Sequence, residues 1–140
     1  MPLTATLLDG DLYYQIEARY KMEGGAYVVR ALGVDGAPAV VPRALGEDRT
    51  GTLYIGKANS FVDRVLQLKK SVSPDHETST HPVAARLADH PAMRATYPPR
   101  SLVVDLHPDP DPIGAERALF RAYFDAFGEP PPLNRMGETL

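Results

Sequence analysis

Apolar residues fall along this chain in two patterns, stripes at helical spacing and short continuous runs, so helices and strands should alternate. Leu12, Tyr13, Ile16 and Tyr20 share one helical face, with Asp11 placed to cap it, which predicts a helix over 12–22 stopped by Gly24-Gly25. Ala26 to Leu32 is a run rich in β-branched residues and reads as a buried strand. Gly33 to Gly51 holds Asp35-Gly36, Pro38, Pro42 and Gly46-Glu47-Asp48. It reads as a long hairpin connection in which Ala39-Val40-Val41 adds a short edge strand. Thr52 to Ile55 is the return strand, running into a turn at Gly56.

Asn59 or Ser60 should cap the next helix, with Asp63 in the first turn, where the backbone dipole favours an anion. Phe61, Val62, Val65, Leu66 and Leu68 make its apolar stripe, ending near Lys69-Lys70. A polar loop over 71–80 follows, and Thr80 with Pro82 opens a shorter helix through Val83 and Leu87. The proline-rich 91–100 reads as a connector, and 101–106 as a third strand. Asp111 as cap and Pro112 at the first helical position launch a helix over about 113–127, which Gly128 ends. Pro130-Pro131-Pro132 is then a rigid exit. The expected fold is α+β, a small three-stranded antiparallel sheet flanked by helices, in one domain.

Composition narrows the possibilities. A chain of 140 residues with 44% apolar and 24% charged content suits a single globular core. No apolar run approaches the ~20 residues of a membrane span, and Met1-Pro2-Leu3-Thr4 lacks a secretory pattern, so a cytoplasmic location is expected. The absence of cysteine excludes disulfides and thiolate metal sites. A net charge of -3 argues against a broad basic surface for duplex nucleic acid. Residues 43–100 nevertheless carry nine basic and six acidic side chains, a local balance of +3, between two acidic ends.

That basic middle contains the candidate chemistry. Tyr27 and Tyr54 lie on neighbouring strands, where a tyrosine pair is either a packed cross-strand contact or two phenols at one sheet edge. Lys57 follows Gly56 as a solvated turn lysine or a site cation, and Arg64 on the next helix is a surface ion pair or a phosphate ligand. Glu116, in the first turns of the last helix, is a surface carboxylate or an inward metal ligand. A site with few oxygen ligands suits Mg²⁺. Histidines 76, 81, 90 and 107 have no metal-ligand spacing, and only His81 opens a helix beside the basic middle. Phosphate-loop, dinucleotide and nucleophile-elbow patterns are absent.

In combination these residues resemble the GIY-YIG nuclease family. Gly25-Ala26-Tyr27 is similar to its first motif, with alanine in the middle place, and Tyr54-Ile55-Gly56 to its second, intact. Arg64 lies at the spacing of the family's phosphate-binding arginine. Lys57 matches the lysine after the second motif in DNA-repair excision members, Glu116 the single metal-binding glutamate, and Asn134 the closing asparagine. The chain departs at Leu68, where several relatives place histidine or tyrosine, and in the separation of 27 positions from Tyr27 to Tyr54. His81 or Lys57 would have to substitute for that polar group.

The resemblance implies a nuclease core over 25–134 preceded by a helical extension over 1–23, with a dimer contact as one use of the extension. It further implies a DNA endonuclease using one divalent cation, Mg²⁺ or Mn²⁺, on Glu116. Tyr27 is favoured as general base with Tyr54 orienting water or phosphate, and Arg64 neutralises the phosphate. Gly56, Asn134 and His81 support the site. With this charge balance a homodimer or protein partner would add selectivity. The alternative is a catalytically silent nucleic-acid or protein binding module of the same fold.

Overall fold

The computed structural model describes residues 3–73 and 81–135. From the N-terminus the elements are β1 (Leu3–Thr6), α1 (Leu12–Tyr20), β2 (Gly25–Ala31), β3 (Val41–Arg43), β4 (Gly46–Asp48) and β5 (Thr52–Ala58). There follow α2 (Phe61–Val72), α3 (Pro82–Asp89), α4 (Pro91–Thr96), a 3-10 turn (Pro99–Ser101), β6 (Leu102–Pro108) and α5 (Pro112–Phe127).

The fold is α+β, but its antiparallel sheet has four strands, in the order β1-β6-β2-β5, and not three. The added strand, β1, belongs to the N-terminal segment that was expected to be helical throughout. Leu3 and Ala5 turn inward and Thr4 and Thr6 outward, but two alternations are too few to mark a strand. The sheet holds it through β6, and Leu7 prolongs the pairing by donating its N–H to the Leu102 carbonyl at 3.0 Å.

Three further expectations are corrected. The edge strand at 39–41 is replaced by a separate ribbon of β3 with β4, folded towards α5 where Leu45 N–H meets the Phe127 carbonyl at 3.1 Å. The connector 91–100 contains α4 and the 3-10 turn. The return strand runs to Ala58, so Gly56 and Lys57 lie inside the sheet and not in a turn. Pairing with β2 continues as far as Gly25 opposite Ala58, and that long-range ladder overrides the local turn preference of glycine.

Caps fix the helix starts. Ser60, not Asn59, accepts the Asp63 N–H at 3.4 Å, and Asp111 accepts the Gly114 N–H at 3.1 Å. Gly128 ends α5 in the left-handed conformation, φ 75°. His81, not Thr80, caps α3; Thr80 and His76 lie outside the described residues.

The sheet divides two cores. Tyr27, Val29, Tyr54 and Ala58 face Leu12, Ile16, Phe61, Val65, Leu68, Val83 and Leu87, so α1, α2 and α3 cover one side. Val28 and Ile55 face Tyr123 of α5 on the other. At about 1.5–3 kcal/mol for each fully buried large side chain, the α1–α3 side supplies most of the apolar stabilisation. No helix among the described residues is long and apolar enough to cross a membrane.

Candidate active site

Strand register brings the two phenols together. Tyr27 stands opposite Gly56, and Tyr54 precedes Gly56 by two residues on the same face. A Cβ at position 56 would lie 2.5 Å from Tyr27 Cζ, 2.6 Å from Tyr27 Oη and 2.8 Å from Tyr54 Cε2. Only glycine lets both rings lie against the strand. Their centroids are 6.2 Å apart, and the His81 ring closes the cluster at 6.0 Å from Tyr27 and 5.5 Å from Tyr54. Tyr27 Oη and His81 Nε2 are 2.6 Å apart. His81 Nδ1 accepts the backbone N–H of Val83 at 3.1 Å.

Burial shapes the chemistry of both. Tyr27 has no accessible surface, whereas Tyr54 retains 6%. Desolvation pushes the Tyr27 phenol well above its ordinary value. Tyr54 and Glu116 act in the same sense, while the positive charge of Arg64 opposes them. His81 is also fully enclosed, and desolvation lowers its pKa to about 3 with help from the charges of Arg64 and Arg86.

Arg64 is half-buried on α2, and its Nη1 donates to Gln67 Oε1 at 2.6 Å. Lys57, Asn59, Ser60, Asp63, Arg64 and Gln67 line an open cavity of about 380 Å³. From the other side of the sheet, α5 turns Glu116, Phe120 and Tyr123 inward. Glu116 is 8% exposed, and its Oε1 lies 3.9 Å from Lys57 Nζ. A buried carboxylate on an otherwise apolar helix face is costly, and therefore informative.

The six expected chemical residues thus fall into two groups astride β5. Tyr27, Tyr54, His81 and Arg64 gather on the side of α2 and α3, while Lys57 and Glu116 meet on the α5 side. The charges of Arg64 and Glu116 both act on Tyr27. Asn134 stands apart from the rings: its Oδ1 accepts the Ile55 N–H at 2.8 Å and its Nδ2 donates to the Ile55 carbonyl at 3.0 Å. Leu68 is a fully buried core residue, so α2 offers no polar group four residues after Arg64.

Among the described residues no three His, Cys, Asp or Glu side chains gather as a metal cage. A single carboxylate, Glu116, fits a hard cation such as Mg²⁺ or Mn²⁺ that takes its remaining ligands from water and phosphate.

Two residues were not anticipated. Gln67 anchors Arg64, and its i+3 spacing on a predicted helix was a readable signal. Arg86 donates to the Leu133 carbonyl and adds positive charge beside His81; nothing local in the sequence marks it. Comparison of the chain with protein-family models, with curated proteins and with solved structures finds no match.

Proposed function

We propose that this chain is a divalent-metal-dependent DNA endonuclease of the GIY-YIG kind, hydrolysing phosphodiester bonds. The observation that carries this reading is the convergence on one phenol. Arg64 from α2, Glu116 from α5, Tyr54 from β5 and His81 from α3 all act on Tyr27 of β2, over a glycine that a side chain would block. Ordinary packing does not require a guanidinium on one side of the sheet and a buried carboxylate on the other, both near a buried tyrosine pair.

Each residue has a task in that chemistry. Arg64 faces the cavity beside Lys57 and would neutralise charge on the pentacovalent phosphate, help worth roughly 3 kcal/mol. Lys57 adds positive charge beside Glu116. The tyrosine pair would supply the base, Tyr54 keeping 6% of its surface where Tyr27 keeps none. Glu116 would hold one Mg²⁺ or Mn²⁺, whose contribution is to polarise the phosphate. With a net charge of -3, DNA contacts would centre on this cavity and weaken steeply with salt. A second copy of the chain or a protein partner would extend them.

Complete enclosure of Tyr27 favours a second reading, a nucleic-acid or protein binding module without catalysis. One experiment separates them. Supercoiled, single-stranded and branched DNA are incubated with wild type, Glu116→Ala and Tyr27→Phe, with and without Mg²⁺ or Mn²⁺. Metal-dependent nicking that Glu116→Ala abolishes supports the endonuclease. Intact substrates throughout, with DNA binding retained, leave the module.

A further inference from the structure

α4 and the 3-10 turn after it carry two arginines onto one cavity. Arg94 lies in α4 and Arg100 in the turn, and both line an open hollow of about 560 Å³ against Leu8. Pro91, Pro98 and Pro99 add apolar wall. The backbone there is held from several directions. The Tyr97 N–H donates to the Met93 carbonyl at 2.8 Å, the Ser101 N–H to the Pro98 carbonyl at 2.8 Å and the Leu32 N–H to the Ser101 carbonyl at 2.9 Å. On the other side, Lys69 Nζ donates to the carbonyl of Asp9, next to Leu8, at 2.6 Å. The ring of each proline also fixes its own φ, so both guanidiniums stand on a stiff frame.

The want of acid partners sets these two arginines apart. Arg30 faces Asp105, Arg43 faces Glu129 and Arg49 faces Glu47. Among the described residues neither Arg94 nor Arg100 makes a hydrogen bond or ion pair, and no carboxylate lines their cavity. Arg94 is nonetheless half-buried. Two positive charges on one partly desolvated hollow repel each other, and an anion between them removes that cost. A guanidinium offers a planar fork to phosphate oxygens and a flat face to an unstacked base. The apolar wall beside it suits the bases of an unpaired strand, which a duplex keeps stacked inside.

We propose that the hollow between α4 and Leu8 is a second nucleic-acid site, where Arg94 and Arg100 hold the phosphodiester backbone of a single-stranded segment. It is separate from the candidate active site. Arg64 and its cavity lie at the start of α2, whereas Lys69, in the last turn of the same helix, reaches Asp9. A strand engaging both ends of α2 gains contacts that a chain of net charge -3 does not spread over its whole surface. The inference rests on the endonuclease reading only for the identity of its ligand.

The test is affinity of the full chain for a fluorescent single-stranded oligothymidylate with metal chelated, measured from about 50 to 200 mM salt. Arg94→Ala/Arg100→Ala is expected to weaken binding about tenfold at the lower salt. It should also flatten the logarithmic salt slope by about 0.7 to 1.4, the share of one or two phosphate contacts on a single strand. Arg94→Gln/Arg100→Gln keeps the side-chain stems on the wall and should give the same losses. Arg49→Ala/Arg121→Ala removes the same charge from two exposed positions elsewhere and should bind as wild type. Wild-type affinity and slope in both Arg94/Arg100 variants overturn the proposal, as do equal losses in the Arg49/Arg121 variant, which would reduce the effect to net charge. A duplex that depends as strongly on Arg94 and Arg100 overturns the single-strand assignment, and an oligoglutamate peptide that competes equally well overturns the nucleic-acid one. Failure of the endonuclease reading would look different: the oligonucleotide bound through Arg94 and Arg100 but never cut when Mg²⁺ is restored.

Discussion

The Asn134 side chain pairs with both backbone polar groups of Ile55, as a neighbouring strand would, at 2.8 and 3.0 Å. β5 is an edge strand, and Leu133 adds a third bond by donating its N–H to the Leu53 carbonyl at 2.8 Å. Residues 133 and 134 thus cover the strand that carries Tyr54, Gly56 and Lys57, and remove an edge open to pairing with other chains.

Replacing that amide should expose its importance. Asn134→Ala leaves a buried N–H and a buried carbonyl without partners, a cost of about 2–3 kcal/mol. Urea denaturation should show the loss. Asn134→Asp keeps an acceptor for the Ile55 N–H but sets a buried carboxylate oxygen against the Ile55 carbonyl, so it should cost at least as much as alanine.

At Gly56 the prediction concerns space. Alanine there brings a Cβ to 2.5 Å from Tyr27 Cζ, so the ring must move and the His81 contact must stretch. Gly56→Ala should cost about 1–3 kcal/mol by overpacking. A crystal structure of the variant should show Tyr27 Oη more than 3.5 Å from His81 Nε2. A variant as stable as wild type with Tyr27 unmoved would mean that the strand yields instead.

Glu116→Gln tests the cation site without removing volume. The partner, Lys57, is half exposed and 3.9 Å away, so breaking the pair should change stability by less than about 1 kcal/mol. Metal-dependent nicking should nevertheless vanish, as it should when wild type is treated with a chelator. Activity retained by Glu116→Gln would remove the metal from this residue.

On the α5 side, Asp48 is fully buried and accepts from four donors. These are the Thr50 N–H at 2.8 Å, the Thr50 hydroxyl at 2.6 Å, the Thr52 N–H at 3.2 Å and the Tyr123 hydroxyl at 2.9 Å. Asp48→Asn turns one acceptor into a donor facing donors and should cost about 2–4 kcal/mol. Calorimetry should show a lower Tm, with metal-dependent nicking unchanged at a temperature where the variant is folded.

How far these features were legible in the sequence depends on their range. α5 was readable because cap, first-turn proline and terminal glycine are all local signals, and Asp111, Pro112 and Gly128 stand where the helix begins and ends. The tyrosines, Arg64 and Glu116 stand out in the sequence by motif spacing. β1 was missed because four residues, of which only Leu3 and Ala5 turn inward, are too short a run to establish a period. The turn expected at Gly56 failed because a local preference yielded to a register set by β2. The contact of His81 was hidden for a similar reason: its position on α3 could be read, but its Tyr27 partner lies 54 residues earlier.

Acid should act on this fold through His81. Its folded pKa is about 3 against an ordinary 6.5, so between those values the unfolded chain binds a proton that the buried ring refuses. Stability contributed by the neutral ring is therefore complete above about pH 6.5 and declines as pH falls towards 3, by at most about 1.4 kcal/mol per pH unit. Carboxylates add their own dependence, so the comparison is with His81→Asn, which keeps the cap and lacks the titrating ring. Between pH 6.5 and 4 the unfolding free energy of wild type should fall more steeply than that of the variant. Parallel curves would mean that His81 takes up its proton in the folded state, which neither its enclosure nor the Val83 N–H allows.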